Sequence, residues 1–281
     1  GILLTTLHKR LGTPLADRDP GIAINRVGFP ALAFPSGLFG RSHELALLTQ
    51  AATQPPTAAA VFVTGPPGIG KSALLAALRA DIGRRAGWCA YGAFADQALA
   101  GPYTALAHAL DDLARQLLAE PAPRLRQIQQ QLRQAVGSNG ALLLSLAPGF
   151  ERLIGTHPAM LTIAAEQPAR LLATLRLVFD ALAKWGRPLA LCIDDLQRAD
   201  MNSLEILRRL LLEGPRPAVL VVISLTTGIP VDTAVLLTAA EIQRQRPDIA
   251  LLTPAALDEA TVAEIVRATV GRDTRVDAEG S

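Results

Sequence analysis

The sequence predicts an α/β fold: a parallel five-stranded sheet flanked by helices, with a large helical insertion between the second and third strands. Three observations predict it. Short apolar, β-branched runs of strand length recur along the chain, helical 3.6-residue patterns separate them, and Pro- and Gly-containing breaks punctuate the two. Strands that alternate with helices pair in parallel, and the helices cover both faces of the sheet. Residues 1–37 carry Pro14, Pro20, Pro30 and Pro35 with little periodicity and read as a linker from an upstream domain. A helical pattern follows over residues 45–52, with Ser42 as its expected cap, and Gln54-Pro55-Pro56 ends it. The first strand, AAAVFVT, runs up to Thr64 and leads into a helix over residues 73–80. Residues 88–94 (WCAYGAF) form the second strand. The insertion, about 103–184, contains YTALAHALDDLARQLLAE, RLRQIQQQLRQAV and the Leu/Ala-rich stretch 168–185. Strands at 189–193, 218–225 and 249–252 complete the sheet, and an amphipathic helix over 258–268 precedes a polar tail. The core is thus expected over 38–257, followed by that helix and tail over 258–281.

The first strand ends in Gly65-Pro66-Pro67-Gly68-Ile69-Gly70-Lys71-Ser72-Ala73, which contains the whole Walker A pattern G-x-x-x-x-G-K-S between a strand and a helix. The residue types answer to phosphate chemistry. Gly65, Gly68 and Gly70 are expected to let the backbone turn its N–H groups inward as an anion-binding nest at a helix N-terminus. Lys71 reaches β- and γ-phosphates, and the Ser72 hydroxyl suits Mg²⁺. The chain has three lysines, Lys9, Lys71 and Lys184, so a lysine at this position is not compositional noise. A P-loop NTPase fold follows.

The third strand, LALCIDD, is an apolar run closed by two acids. Alone this is a weak signal, but it becomes a strong one downstream of a Walker A loop. Asp194 is expected to hold Mg²⁺, directly or through water, and Asp195 to orient or deprotonate an attacking water. The competing reading makes Asp195 the cap of a helix that starts near residues 200–203. The long separation of Lys71 from Asp194, with a strand and the insertion between them, argues against a compact nucleoside kinase.

Composition narrows the remaining classes. A net charge of +2 and 4% aromatic residues give no footprint for direct nucleic-acid binding by this chain. No apolar run approaches membrane-spanning length. Beginning at Gly1 without methionine or a leader pattern, the chain reads as a soluble, cytoplasmic piece of something longer. Cys89 and Cys192 fall in strand-like runs and are expected to be buried, reduced thiols without metal spacing.

Beyond the Walker motifs, residues 38 to about 270 resemble the ATPase module of the STAND class of P-loop NTPases, in the branch found within multidomain bacterial regulators such as hybrid serine/threonine-kinase–histidine-kinase proteins. The blocks that carry the likeness are LFGRSHELALL (38–48), GPPGIGKSALL, AFADQALAGPYTALAHAL (93–110), SNGALLLSLAPGFERLIG (138–155) and LALCIDDLQRADMNSLEILRRLL (189–211). The resemblance implies a nucleotide switch: ADP in the resting state, ATP in the active one, Mg²⁺ as companion, slow hydrolysis, and coupling to attached kinase, histidine-kinase or regulator domains. It puts Gly40 and Arg41 near the adenine side, with a plain surface charge as the alternative for Arg41. ATP rather than GTP comes from the resemblance alone.

There are departures from the pattern. Leu225-Thr226-Thr227-Gly228 stands where relatives carry an aromatic-Arg-Asp sequence, so the arginine that senses the γ-phosphate is absent. Arg198 follows Gln197 where relatives carry Trp, and reads either as a partial replacement or as a surface ion pair. The resemblance makes 258–281 the start of a truncated helical lid with a polar tail, the chain stopping before the Gly-Asn-Pro segment and the rest of the lid. A degenerate scaffold, binding a partner through residues 103–184, is therefore the rival to the switch.

Overall fold

The computed structural model describes residues 38–53, 60–94, 101–157, 168–213 and 219–270. The expected linker and polar tail lie outside these residues. The chain divides into two units, of which Ser36–Ile265 is the one described. That unit holds the sheet.

Helix α1 (Ser42–Thr53) leads to β1 (Ala60–Gly65), α2 (Lys71–Arg84) and β2 (Trp88–Ala93). Among the described residues, five α-helices follow before the next strand: α3 (Thr104–Leu118), α4 (Ala122–Val136), α5 (Gly140–Leu146), α6 (Glu151–Ile154) and α7 (Pro168–Ala183). Then come β3 (Leu189–Asp194), α8 (Met201–Leu212), β4 (Leu220–Thr226), α9 (Thr233–Gln245), β5 (Ala250–Leu252) and α10 (Glu259–Val270). The sheet is parallel throughout, in the order β2-β3-β4-β1-β5. The expected α/β architecture with its insertion between β2 and β3 is therefore present. One detail differs. Ser42 lies inside α1, whose first turn is closed by Leu45 N donating to the Arg41 carbonyl.

Alternation along the strands divides the core between two faces, because successive side chains point to opposite sides. Val61, Val63, Cys89, Ala190, Cys192 and Val222 pack under α1 and α2 through Leu48, Leu74, Leu75, Leu78 and Ile82. Phe62, Ala90, Leu191, Ile193, Val221 and Ile223 pack on the other face against α3, α7, α8 and α9. The two thiols are buried and unoxidised, with Cys89 Sγ and Cys192 Sγ 3.5 Å apart. Their mutual contact and burial push the Cys192 thiol up in pKa.

The insertion is part of this core. Leu106, Leu110, Leu113 and Leu117 of α3 and Leu171, Leu175, Val178 and Leu182 of α7 are all buried in it. Helix α3 lies so close to β2 that a Cβ on Gly92 would fall 1.9 Å from the Ala105 carbonyl oxygen. Buried Asp112 ties the layers together: its carboxylate accepts from Arg79 of α2, from Tyr91 N of β2, and from Arg115 and Gln116 of its own helix. At the opposite end of the sheet, Trp88 meets Trp185 edge-on at 6.2 Å. Arg187 stacks over Trp88, and Glu120 accepts from both the Trp88 indole and Arg187.

Candidate nucleotide-binding site

The C-terminal ends of β1, β3 and β4 converge on one side of the sheet, the place where open parallel sheets bind ligands. A cleft of about 490 Å³ opens there. One wall is the loop after β1 with the first turn of α2, contributing Pro67, Gly68, Gly70, Lys71, Ser72 and Ala73. The facing wall contributes Asp195, Gln197, Arg198, Thr226 and Ile229.

The loop has the conformation its glycines permit. Gly68 and Gly70 have φ of 79° and 98°, values that only glycine adopts readily, and a Cβ on either would meet nothing within 4 Å. Gly65 plays a different part from the one expected. It is paired within β1, with no positive φ, and a Cβ there would sit 3.0 Å from Ile69 Cγ2, so its reason is close packing. The N–H groups at the start of α2 have no side-chain cap at Gly70, which leaves the helix terminus open toward the cleft.

Three contacts hold the loop. Lys71 Nζ donates to the carbonyls of Gly65 (3.0 Å) and Pro66 (3.1 Å). Thr227 N, just past β4, donates to Gly65 O at 3.0 Å. Arg41 Nη2 donates to Ile69 O at 3.1 Å, while its Nη1 pairs with Glu44 Oε1 at 3.1 Å. At 4% exposure Arg41 is no surface charge. Its neighbour Gly40 has φ 62°, and a Cβ there would lie 2.9 Å from Thr261 Cγ2 at the start of α10. Burial lowers the Lys71 ammonium below its ordinary pKa, while the carboxylates of Asp195 and Asp194 pull it back up.

The two acids have unlike surroundings. Asp194, the last residue of β3, is 2% exposed. Its Oδ1 accepts from the Ser224 hydroxyl and from Asp195 N, and its Oδ2 accepts from the Tyr91 hydroxyl at 3.0 Å. Burial and the Asp194 charge together push the Tyr91 phenol far up, so it stays a donor. Asp195 has already left the strand, with φ 61°, so a left-handed turn rather than the pleat aims its side chain. Such a conformation in a non-glycine residue is a marked feature. Gln197 bridges the turn: its Nε2 donates to Asp195 Oδ1 at 2.7 Å and its Oε1 accepts from Thr226 N at 3.0 Å. The cap of α8 is Asp200, whose carboxylate accepts from Ser203 N, so helix capping does not account for Asp195.

The donor set also fits a divalent cation. Ser72 and the buried Asp194 carboxylate are hard oxygen donors, the kind Mg²⁺ takes alongside water and phosphate oxygens. Three hydrogen bonds already engage Asp194, which leaves its carboxylate better suited to hold a metal-bound water than the metal itself.

Of the loop and the two acids singled out in the sequence, Asp195 lines the cleft with the loop, whereas Asp194 is buried and acts on Lys71 through its charge without lining it. Sequence reasoning missed Tyr91 and Ser224. Ser224 did leave a signal, as the one hydroxyl inside the apolar run Leu220–Leu225. Tyr91 left none, because its nearness to Asp194 follows from β2 pairing with β3.

Comparison with known proteins agrees with this geometry. Residues 37–223, well over half of the chain, match the AAA ATPase domain. The chain belongs to the AAA ATPase domain family. The matched stretch of this AAA domain contains the phosphate loop and both acids and ends inside β4, so membership implies nucleotide binding. The chain is also 28% identical over 152 residues to the hybrid signal transduction histidine kinase G of Dictyostelium discoideum. That alignment covers 54% of this chain and 4% of the relative, so the AAA domain here spans a small part of that protein. Among the described residues no helix is long and apolar enough to cross a membrane.

Proposed function

We propose that this AAA domain is a STAND-type nucleotide switch: it binds ATP or ADP with Mg²⁺, hydrolyses ATP slowly, and reports the bound state to attached domains of a cytoplasmic signalling protein. The observation that carries the reading is the cleft itself, with the open α2 terminus, Lys71 and Ser72 on one wall and Asp195 on the other. Lys71 exchanges the carbonyls of Gly65 and Pro66 for β- and γ-phosphate oxygens. The backbone N–H groups of residues 68–73 surround the phosphates. Ser72 and Asp194 are the residues that would hold Mg²⁺, Asp194 through a water, and the ion would offset phosphate charge. Asp195, steadied by Gln197, accepts the proton of the water that attacks the γ-phosphorus, and ADP and inorganic phosphate result. Gly40 and Arg41 belong to the adenine side in this reading. Residues 1–37 serve as linker, 38–257 as core, and 258–281 as the beginning of a lid. The signalling role draws on the named histidine-kinase relative, and the bacterial setting on the sequence resemblance.

The test is the melting temperature with and without MgATP, MgADP and MgGTP, in the unaltered chain and in Lys71→Ala. A ligand that binds only the folded state adds about 2.7 kcal/mol at a hundredfold excess over its Kd. A shift with the adenine nucleotides that disappears in Lys71→Ala is the expected result. No shift with any nucleotide would replace this reading with that of a scaffold.

A further inference from the structure

Strand β2 ends the sheet on one side, so among the described residues no strand pairs with its outer edge. Its inner edge uses alternate residues. Trp88 N donates to Pro188 O at 2.9 Å and Phe94 N to Asp194 O at 3.1 Å, on the side of β3. The backbone groups of Cys89 and Tyr91 therefore point outward. A bare edge of this kind is a template for pairing with another chain.

Side chains of α3 already occupy that edge. Gln116 Oε1 accepts from Cys89 N at 3.1 Å, and Gln116 Nε2 donates to Cys89 O at 2.7 Å. One turn earlier, Asp112 Oδ2 accepts from Tyr91 N at 3.3 Å. A carboxamide offers the donor and acceptor of a peptide group. Both of its bonds go to one residue, as in the hydrogen-bonded pair of an antiparallel ladder. The i, i+4 spacing sets Asp112 and Gln116 on one face of α3, and Gln116 Nε2 also donates to Asp112 Oδ2 at 3.0 Å. Arg79 of α2 and Arg115 hold the other oxygen of Asp112.

We propose that Gln116, braced by Asp112, stands in for a further strand and closes the β2 edge against antiparallel pairing with β2 of a second copy of this chain. Such twofold pairing would join two identical edges into one continuous sheet. The closure is independent of the nucleotide reading, since neither residue lines the cleft.

Sedimentation equilibrium of the unaltered chain, Gln116→Met and Gln116→Glu tests this, with circular dichroism to check the fold. Met keeps the side-chain length and removes both amide bonds. Glu also loses the donor to Cys89 O, but it leaves a charge at the edge, which opposes strand addition. Gln116→Met is expected to associate, its mean mass climbing with concentration toward about twice that of the unaltered chain. Gln116→Glu should keep the unaltered mass. An unaltered mass in Gln116→Met, or equal association of the two variants, would overturn the closure. Amide exchange in the unaltered chain decides the matter even where a variant fails to fold. The Cys89 and Tyr91 amides should be protected alongside those of Ala90 and Gly92, and their exchange at the rate of exposed amides would overturn it as well.

Discussion

Arg41 shows how much one side chain decides at this site. A guanidinium at 4% exposure is tolerable only because Glu44 and the Ile69 carbonyl replace its lost water. The second of these bonds spans 28 positions and fixes the phosphate loop from outside. Arg41→Ala is therefore expected to cost about 1–3 kcal/mol of stability and, separately, to weaken nucleotide binding by loosening the loop. Denaturant unfolding and nucleotide titration of that variant check the two effects. Lower stability with unchanged nucleotide affinity would reduce Arg41 to a packing residue. The residue itself was legible in the Gly40-Arg41 segment, but its partner was not, since nothing local in a sequence announces a bond to a loop carbonyl. Asp194 and Asp195 show the same limit. Their presence at a strand end was readable, whereas the burial of one depends on Ser224 and Tyr91 arriving from neighbouring strands, and the turn of the other is bridged by Gln197 to Thr226 of β4.

At the scale of elements, strands and the phosphate loop were readable because apolar period and glycine placement are local signals, while helix ends and seams between helices are not. The α1–α2 seam is one such case. Asp81 of α2 accepts from Thr49 of α1 at 2.9 Å and from Arg84 and Arg85 of its own helix. Burial raises the Asp81 carboxyl, but the hydrogen bonds from Arg85, Thr49 and Arg84 outweigh it and hold the pKa below the ordinary aspartate value. A carboxyl with a depressed folded-state pKa contributes stability that is present above its unfolded pKa. That contribution is lost as pH falls through the folded one, so the window here lies below about pH 4. Asp81→Asn should lower stability by about 1 kcal/mol at neutral pH and by less in strong acid, because the unaltered chain has lost the same interaction there. Melting curves from pH 7 downward read this out, and a deficit that stays constant with pH would place the cost elsewhere.

For the whole molecule, the strand order explains why residues so distant in sequence share one cleft. Strand β4 lies between β1 and β3, so the wall opposite Lys71 is built jointly by the β3 turn and the end of β4, joined by the Gln197–Thr226 bond. The backbone is tied across the gap as well, by Thr227 N donating to Gly65 O. A nucleotide seated between these walls must touch three separated stretches at once: the loop, the β3 turn and the end of β4. Amide hydrogen exchange reports such contact segment by segment, because local opening is suppressed wherever a ligand bridges the structure. With MgATP, protection is expected to rise together at residues 65–75, 194–199 and 224–229, with α4 to α6 of the insertion unchanged, and Lys71→Ala should erase all three changes. Protection confined to residues 65–75 would mean that the loop alone holds the ligand. The facing wall would then have no part in sensing which nucleotide is bound.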